Sequence, residues 1–140
     1  MPTLFTRIIN GELPGRFVWR DDEAVVFLTI NPLATGHALV VPRVEVDHWL
    51  DLDPALTARL TVVAQHIGTA QVAAFGAHRV GLIIAGLEVP HTHLHVLPIR
   101  SERDLNFANA DPSPDPDALD RAAAALRDAL RAAGHPEVSE

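Results

Sequence analysis

Three histidines stand at alternate positions in one short segment of this sequence. His91, His93 and His95 belong to the stretch HTHLHVLPI, residues 91–99, although the 140-residue chain contains only eight histidines. Because successive side chains of a strand point to opposite faces, the three imidazoles are expected on one face and the residues between them on the other. The segment therefore predicts a row of neighbouring imidazoles on one face of a strand and packed, mostly apolar side chains on its other face.

Such a row has an electrostatic consequence. Each proton that binds makes the next one harder to bind, so we expect the pKa values of the three rings to shift downward and the rings to stay neutral near pH 7. A neutral ring keeps one unprotonated nitrogen that serves as a ligand or a nucleophile. The spacing leaves two sites open: a three-histidine zinc site, and a site in which one imidazole attacks phosphorus while the others hold phosphate and handle protons.

The elements that must position these histidines form an α+β pattern. Alternating or β-branched runs predict five strands, at residues 16–20, 24–30, 37–42, 79–85 and 91–99. Helical spacing predicts a short N-terminal helix that ends at Asn10-Gly11 and a long helix over 53–76, with Asp53 as its N-cap and Pro54 at its first position. The sequence thus predicts an antiparallel sheet with one long helix across it.

The chain divides into three parts. Residues 1–100 are expected to form the domain, and the Pro- and Asp-rich residues 101–116 to form a surface loop without regular structure. The Ala-rich residues 117–134 predict a C-terminal helix that packs on the same domain.

Composition limits the classes of partner. Asp and Glu outnumber Lys and Arg 18 to 11, so no basic surface for nucleic acid or an anionic membrane is expected. With no cysteine, the chain has neither disulfides nor thiolate metal ligands. The N-terminus lacks a signal-peptide pattern and no apolar run is long enough to span a bilayer, which favours a cytoplasmic location.

The histidine row also resembles a known motif. HTHLHVLP is similar to the His-φ-His-φ-His-φ-φ signature of the histidine-triad (HIT) superfamily, where φ is apolar and Thr92 is the one weak match. Residues 4–43 resemble the N-terminal half of the Hint-like branch, through the turn IINGELP and the strand GHALVVP. The resemblance covers about residues 3–100 and implies a HIT-like fold.

The resemblance implies roles for four histidines. In this family the middle histidine of the triad attacks the α-phosphate of a nucleoside phosphoramidate or dinucleoside polyphosphate, and by position that residue is His93. His95 is then expected to contact the phosphate and the leaving group, while His91 and His37 orient the imidazoles and relay protons. The implied activity is that of a phosphoramidase-like hydrolase or transferase that forms a nucleotidyl-histidine and needs no metal or other cofactor.

The resemblance further implies a nucleotide site. The family's acidic ribose ligand falls at Thr29, so weak ribose recognition is expected. Glu88 stands near the position of a hydroxyl residue that touches phosphate, where a carboxylate disfavours an anion and favours a cationic leaving group such as an amine. The positions of the family's nucleobase slot are all apolar here: Phe5, Ile8, Phe27, Ile30, Leu39 and Val89.

Many bacterial relatives carry structural zinc, whose ligand positions fall at Thr3, Thr6 and Glu45 in this sequence, so we expect no structural zinc. The implied partners are a purine nucleotide or a related phosphate ester or amide, and a second copy in a homodimer joined through the long helix and an edge strand. Two alternatives stay open: a zinc-dependent hydrolase that uses the histidine cluster, and a nucleotide or phosphometabolite sensor with little turnover, which Thr29 and Glu88 permit.

Overall fold

The computed structural model of this chain describes all residues 1–140 and shows an antiparallel sheet flanked by helices. Three short 3-10 helices lie in the connections, at Trp49–Asp51, Glu102–Leu105 and Phe107–Asn109. The α+β architecture predicted from the sequence is confirmed. Its main elements, in chain order, are α1 (Leu4–Ile9), β1 (Phe17–Arg20), β2 (Ala24–Leu28), β3 (Ala38–Pro42), α2 (Pro54–Phe75), β4 (Arg79–Ile84), β5 (Leu94–Ile99) and α3 (Pro116–Ala132).

The strand order brings two distant segments together at the centre of the sheet. The five strands are arranged β1-β2-β3-β5-β4, and every neighbouring pair is antiparallel. Strand β3 pairs with β5, with Leu39 opposite His95 and Ala38 opposite Val96. His37, which directly precedes β3, therefore lies beside the strand that carries His95.

The two faces of the sheet are covered unequally. One face packs against α2 and α3 in the main core, to which the helices contribute Leu60, Val63, Ile67 and Leu126. The opposite face carries a smaller apolar cluster, which the six-residue helix α1 covers in part through Phe5. Because both faces are packed, all residues of β2 and β3 are buried, whereas a strand with one solvated face would alternate.

Helix α2 has the ends that the sequence predicts. The carboxylate of Asp53 accepts the N–H of Ala55 at 2.9 Å, and Pro54 occupies the first helical position. Gly76 ends the helix with φ +63°, a conformation that glycine adopts without strain. None of the helices, α2 included, combines the length and the apolar character needed to cross a bilayer.

The turn before His37 depends on a glycine and a buried amide. Gly36 has φ +81°, and a Cβ at this position would collide with the ring of Phe75. The side-chain N–H₂ of the fully buried Gln71, on α2, donates at 2.9 Å both to the carbonyl of Gly36 and to that of Val96. One helix side chain thus joins the turn that carries His37 to the strand that carries His95.

Two predicted strand boundaries differ from the observed ones by two or more residues. Strand β5 begins at Leu94 rather than at residue 91, because the residues before it make backbone hydrogen bonds outside the sheet: the N–H of Thr92 donates to the carbonyl of Val46 and that of His91 to Val89, both at 2.8 Å. Strand β2 ends at Leu28, two residues before its predicted end.

The segment after β5 is more regular than predicted. It contains the 3-10 helices Glu102–Leu105 and Phe107–Asn109, and α3 begins at Pro116, after the N-cap Asp115. The carboxylate of Asp104 accepts the backbone N–H groups of Arg100 and Ser101, which holds the first turn. Local side-chain hydrogen bonds therefore order a stretch that composition alone assigned to an irregular loop.

Replacing Gln71 by Met should destabilise the fold by about 1–3 kcal/mol, because two buried carbonyls lose a donor while the side-chain volume is nearly kept. Urea unfolding at pH 7.5 measures the change. The matched control is Thr69→Ala, an exposed position two residues away on the same helix, which should change the free energy of unfolding by less than about 0.5 kcal/mol. Equal stability of Gln71→Met and the unaltered chain would contradict this role.

Candidate active site

Three of the four predicted histidines form a continuous row. The Nε2 atom of His37 lies 2.9 Å from Nδ1 of His95, and the ring centroids of His95 and His93 are 4.8 Å apart. His91 lies next along the chain and contacts the edge of the Phe5 ring, which also packs edge-on against His93. The structure therefore brings His37, His95 and His93 together and places His91 behind them.

Hydrogen bonds fix the proton positions on His37 and His95. The backbone N–H of Leu33 donates to Nδ1 of His37 at 3.1 Å, so the proton of the neutral His37 ring resides on Nε2. His37 Nε2–H then donates to Nδ1 of His95. Nδ1 of His95 is consequently an acceptor, and Nε2 of His95 carries a proton that it can donate.

The ring of His93 has the opposite arrangement. Its Nδ1 lies 2.8 Å from the backbone carbonyl oxygen of His91, which can only accept a hydrogen bond. The proton of the neutral ring is therefore on Nδ1, and Nε2 carries a lone pair. Adjacent imidazoles thus present a donor, on His95, and a nucleophilic nitrogen, on His93.

His91 is held by the protein on both sides of its ring. It is fully buried, its Nε2 donates to the carbonyl of Pro42 at 2.7 Å, and its Nδ1 lies 2.8 Å from the hydroxyl of Thr3. Both ring nitrogens of His91 are therefore hydrogen-bonded to protein groups, and His91 contacts His93 through its backbone carbonyl. Sequence reasoning had no signal for this contact, because Thr3 and His91 lie 88 positions apart.

Burial keeps the row of imidazoles neutral. Burial, with a smaller contribution from the neighbouring histidines, lowers the pKa of His37 to about 4 and that of His95 to about 3. Burial also lowers the pKa of His93, while the Glu88 carboxylate acts in the opposite direction. The downward shift was predicted from mutual repulsion, but removal from water is the larger cause.

The apolar positions predicted to form a nucleobase slot fall into two groups. Phe5, Phe27 and Leu39 belong to the smaller apolar cluster, and Ile8 and Val89 pack against it. The sixth residue, Ile30, follows the end of β2 with a side chain that is 68% exposed, so the structure does not bring it into the cluster. Five of the six positions therefore lie together, and Phe5 among them packs against the ring of His93.

The two departures from the family pattern also lie around the histidines. The N–H of Thr29 donates to the carbonyl of His37, and the Thr29 hydroxyl accepts the N–H of Asn31, which leaves the hydroxyl proton available to a ligand. Glu88 is exposed in the loop before His91, close enough for its charge to act on His93.

Phe107 is a residue of this site that sequence reasoning missed. Its ring lies 4.8 Å from that of His95, centroid to centroid, and the side chain is 44% exposed. The segment around it is anchored to the loop after β2, since the N–H of Asp111 donates to the carbonyl of Pro32 and the amide of Asn31 donates to that of Asp111. An aromatic residue within the Pro- and Asp-rich stretch was the available signal.

The positions implied for structural zinc carry a hydrogen-bonded cluster instead. Thr3, Thr6 and Glu45 lie together with His91, and the Glu45 carboxylate accepts the backbone N–H of Thr3 at 2.6 Å. Neutral hydroxyls are poor replacements for the thiolates and imidazoles that zinc prefers. No group of three or more His, Cys, Asp or Glu side chains has a metal-binding arrangement. These residues therefore do not fit a structural zinc ion.

The fold and the site define an α+β protein with a buried, neutral histidine cluster beside a small apolar cluster. Residues 10–102 match the family model described as HIT domain. The chain therefore belongs to the HIT family, as the resemblance implied. Proteins of this family bind nucleotides, and the family includes hydrolases.

Relatives and solved structures agree with this assignment. The chain is 38% identical over 102 residues to an uncharacterized HIT-like protein from Borreliella burgdorferi, covering 68% of this chain and 73% of that protein. It is 32% identical over 111 residues to adenylylsulfatase HINT3 from Arabidopsis thaliana, covering 76% of this chain but only 56% of the plant protein. A zinc-bound histidine triad family protein from Mycobacterium smegmatis superposes with a TM-score of 0.80 at 29% identity, covering 93% of this chain and 94% of that one.

The buried neutral histidines should make stability depend on pH. The folded-state pKa of His37 lies below its unfolded value of 6.5, so the unfolded state binds more protons and stability falls as the pH drops from about 6.5 toward 4. Between pH 7 and 4.5, the free energy of unfolding should therefore fall by about 2 kcal/mol less in His37→Gln than in the unaltered chain. Urea unfolding at both pH values measures this loss. His48→Gln, at an exposed histidine, should leave the loss unchanged, and an equal loss in His37→Gln would contradict the assignment.

Proposed function

We propose that this chain is a histidine-triad hydrolase or transferase that cleaves nucleoside phosphoramidates or dinucleoside polyphosphates at the α-phosphate through a nucleotidyl-histidine. The observation that carries the proposal is the contact of His93 Nδ1 with the carbonyl of His91, which leaves the lone pair on Nε2. A neutral imidazole with a free lone pair is a good nucleophile at neutral pH. The lowered pKa of His93, caused by burial, keeps this form populated.

In the proposed reaction, a bond forms between His93 Nε2 and phosphorus while the bond from phosphorus to the leaving group breaks. The leaving group takes the bonding electron pair, and positive charge develops on the His93 ring. The carbonyl of His91 accepts a hydrogen bond from Nδ1–H of that ring and therefore stabilises the positive charge as it develops. Water then cleaves the Nε2–P bond, which yields the nucleoside monophosphate and restores His93.

His95 is assigned to the leaving group. Its Nε2–H is the free donor of the row, because Nδ1 is occupied by the hydrogen bond from His37. A donor next to the nucleophile can hydrogen-bond the atom on which negative charge develops and assist its departure. His37 acts through His95, since its contact with Leu33 fixes the direction of that hydrogen bond.

The substrate class follows from the surroundings of His93. The partly buried Ile8 and Val89 at the margin of the apolar cluster provide apolar surface for a purine base, and the adenylylsulfatase among the relatives supports an adenylyl group as the part that is transferred. The charge of Glu88 favours a leaving group with a positive charge, such as an amine. Thr29 replaces a carboxylate at the ribose, which favours weak discrimination between ribose and deoxyribose.

The two alternatives make different demands on the same residues. A three-histidine zinc site needs three ring nitrogens with a free lone pair. Both ring nitrogens of His91 are engaged by protein groups, and in His95 Nδ1 accepts a hydrogen bond while Nε2 carries the proton. Of these three histidines, only His93 has a free lone pair. A sensor would retain nucleotide binding but accumulate no product. Metal analysis of protein prepared without a His tag addresses the first alternative, and turnover of adenosine 5′-phosphoramidate addresses the second.

Replacing His93 by Asn should abolish the covalent nucleotidyl adduct and lower kcat by several orders of magnitude, because the nucleophile is lost while a polar side chain remains at that position. Intact-mass measurement after quenching detects the adduct, and steady-state assays with adenosine 5′-phosphoramidate give kcat. His95→Gln should lower kcat by roughly 10²–10⁴-fold and still form some adduct, because it removes only a proton donor. An adduct on His93→Asn would refute the assignment of the nucleophile.

We also propose that two copies form a homodimer through β4 and α2. Strand β4 is an edge strand, with Leu82 47% exposed, and α2 exposes Val62 and Val72. Leu82→Lys should convert a dimer into a monomer of 15.1 kDa in light scattering, because a charge would be buried at the joint. Leu4→Lys, at an equally exposed position on α1, is the control. A monomeric unaltered chain at micromolar concentration would contradict the proposal.

A further inference from the structure

The N-terminal helix is joined to the histidine row by one hydroxyl. The Nε2 atom of His91 donates to the carbonyl of Pro42, so Nδ1 of the neutral ring is an acceptor, and the Thr3 hydroxyl 2.8 Å away supplies its proton. This contact is shorter than the 3.2 Å from the Thr3 hydroxyl to that of Thr6, so the proton is assigned to His91. Thr3 therefore completes the hydrogen bonding of a fully buried ring.

Thr3 is itself fixed by the groups around it. Its hydroxyl oxygen accepts the N–H of Thr6 at 3.1 Å and so caps α1, and its backbone N–H donates to the carboxylate of Glu45 at 2.6 Å. Hydrogen bonds from the Thr6 hydroxyl and the Thr3 backbone hold the pKa of the Glu45 carboxyl below its usual value, so Glu45 is ionised at neutral pH. The cluster is thus a connected polar network from Glu45 through Thr3 to His91.

Two contacts carry this network to the nucleophile. The backbone carbonyl of His91 accepts the Nδ1–H of His93 at 2.8 Å, and Phe5, on the helix that Thr3 caps, packs edge-on against the His93 ring at 4.8 Å. A shift of Thr3 would disturb both contacts at once. Each of them fixes an aspect of His93: the first its tautomer, the second the plane of its ring.

We propose that Thr3, supported by Glu45, is a positioning residue for His93. The proposal rests on the proposed function insofar as it concerns turnover. Its physical basis is that two groups in contact with the His93 ring, the His91 carbonyl and the Phe5 ring, belong to segments that the Thr3 hydroxyl holds. An attacking atom that is misplaced by a fraction of an ångström loses rate without losing affinity for the substrate.

The test compares Thr3→Val, which keeps the shape and removes the hydroxyl, with Thr3→Ser, which keeps the hydroxyl. With adenosine 5′-phosphoramidate, Thr3→Val should lower kcat by about tenfold or more with less than about a twofold change in KM, and Thr3→Ser should restore kcat to within about threefold. Thr61→Val, at an exposed threonine of α2, is the matched control and should leave kcat unchanged. A Thr3→Ser variant as impaired as Thr3→Val would overturn the proposal.

A readout without substrate separates this proposal from the proposed function. Nitrogen-15 NMR of the imidazoles should show His93 as the Nδ1–H tautomer in the unaltered chain and in Thr3→Ser, but as a mixture of tautomers in Thr3→Val. Absence of turnover in every variant would refute the proposed function, while the tautomer populations would still decide the role of Thr3. An unchanged Nδ1–H tautomer in Thr3→Val would refute that role.

Glu45→Ala provides a second variant in case Thr3→Val does not fold. Because the side chain of Glu45 is exposed, the substitution should leave folding intact and lower kcat by a smaller factor, about two- to fivefold. Glu23→Ala, at another exposed glutamate, is the control. Unchanged kcat and tautomer in Glu45→Ala would remove Glu45 from the network.

Discussion

The site depends on imidazoles that are buried and yet hydrogen-bonded at a chosen nitrogen. Burial keeps the rings neutral, and a neutral ring has one donor and one acceptor nitrogen. The N–H of Leu33 fixes His37, which in turn fixes His95, and the carbonyl of His91 fixes His93. Backbone groups outside the row therefore decide which imidazole presents a proton and which presents a lone pair, although the side chains are chemically identical.

The unequal covering of the sheet makes such a site accessible. On one face, α2 and α3 form a thick core that holds β3 and β5 in register, and Gln71 connects the two segments that carry His37 and His95. On the other face, the six residues of α1 are too few to cover the sheet. His93 therefore stays 7% exposed and His95 half-buried, which removes most of the surrounding water but leaves an approach for a ligand.

The sequence predicts features that depend on neighbours along the chain. Asp53, Pro54 and Gly76 mark the ends of α2, and the alternation of apolar residues identifies the strands and the faces of Leu94 and Val96. Features that depend on distant groups left no local pattern. The start of β5 depends on a backbone bond from Thr92 to Val46, and the orientation of the His91 ring depends on Thr3 and Pro42.

Segments on either side of the family match contact different histidines of the site. The family match spans residues 10–102, which include all four histidines, whereas Thr3, Phe5 and Phe107 lie outside it. The N-terminal helix contacts His91 and His93, and the C-terminal segment places Phe107 against His95. In the proposed mechanism, the N-terminal helix thus positions the attacking nitrogen of His93, and the segment that contains Phe107 lies next to the histidine that assists the leaving group. The residues next to the attacking nitrogen and those next to the leaving group therefore come from two segments that are distant in the sequence, on either side of the matched domain.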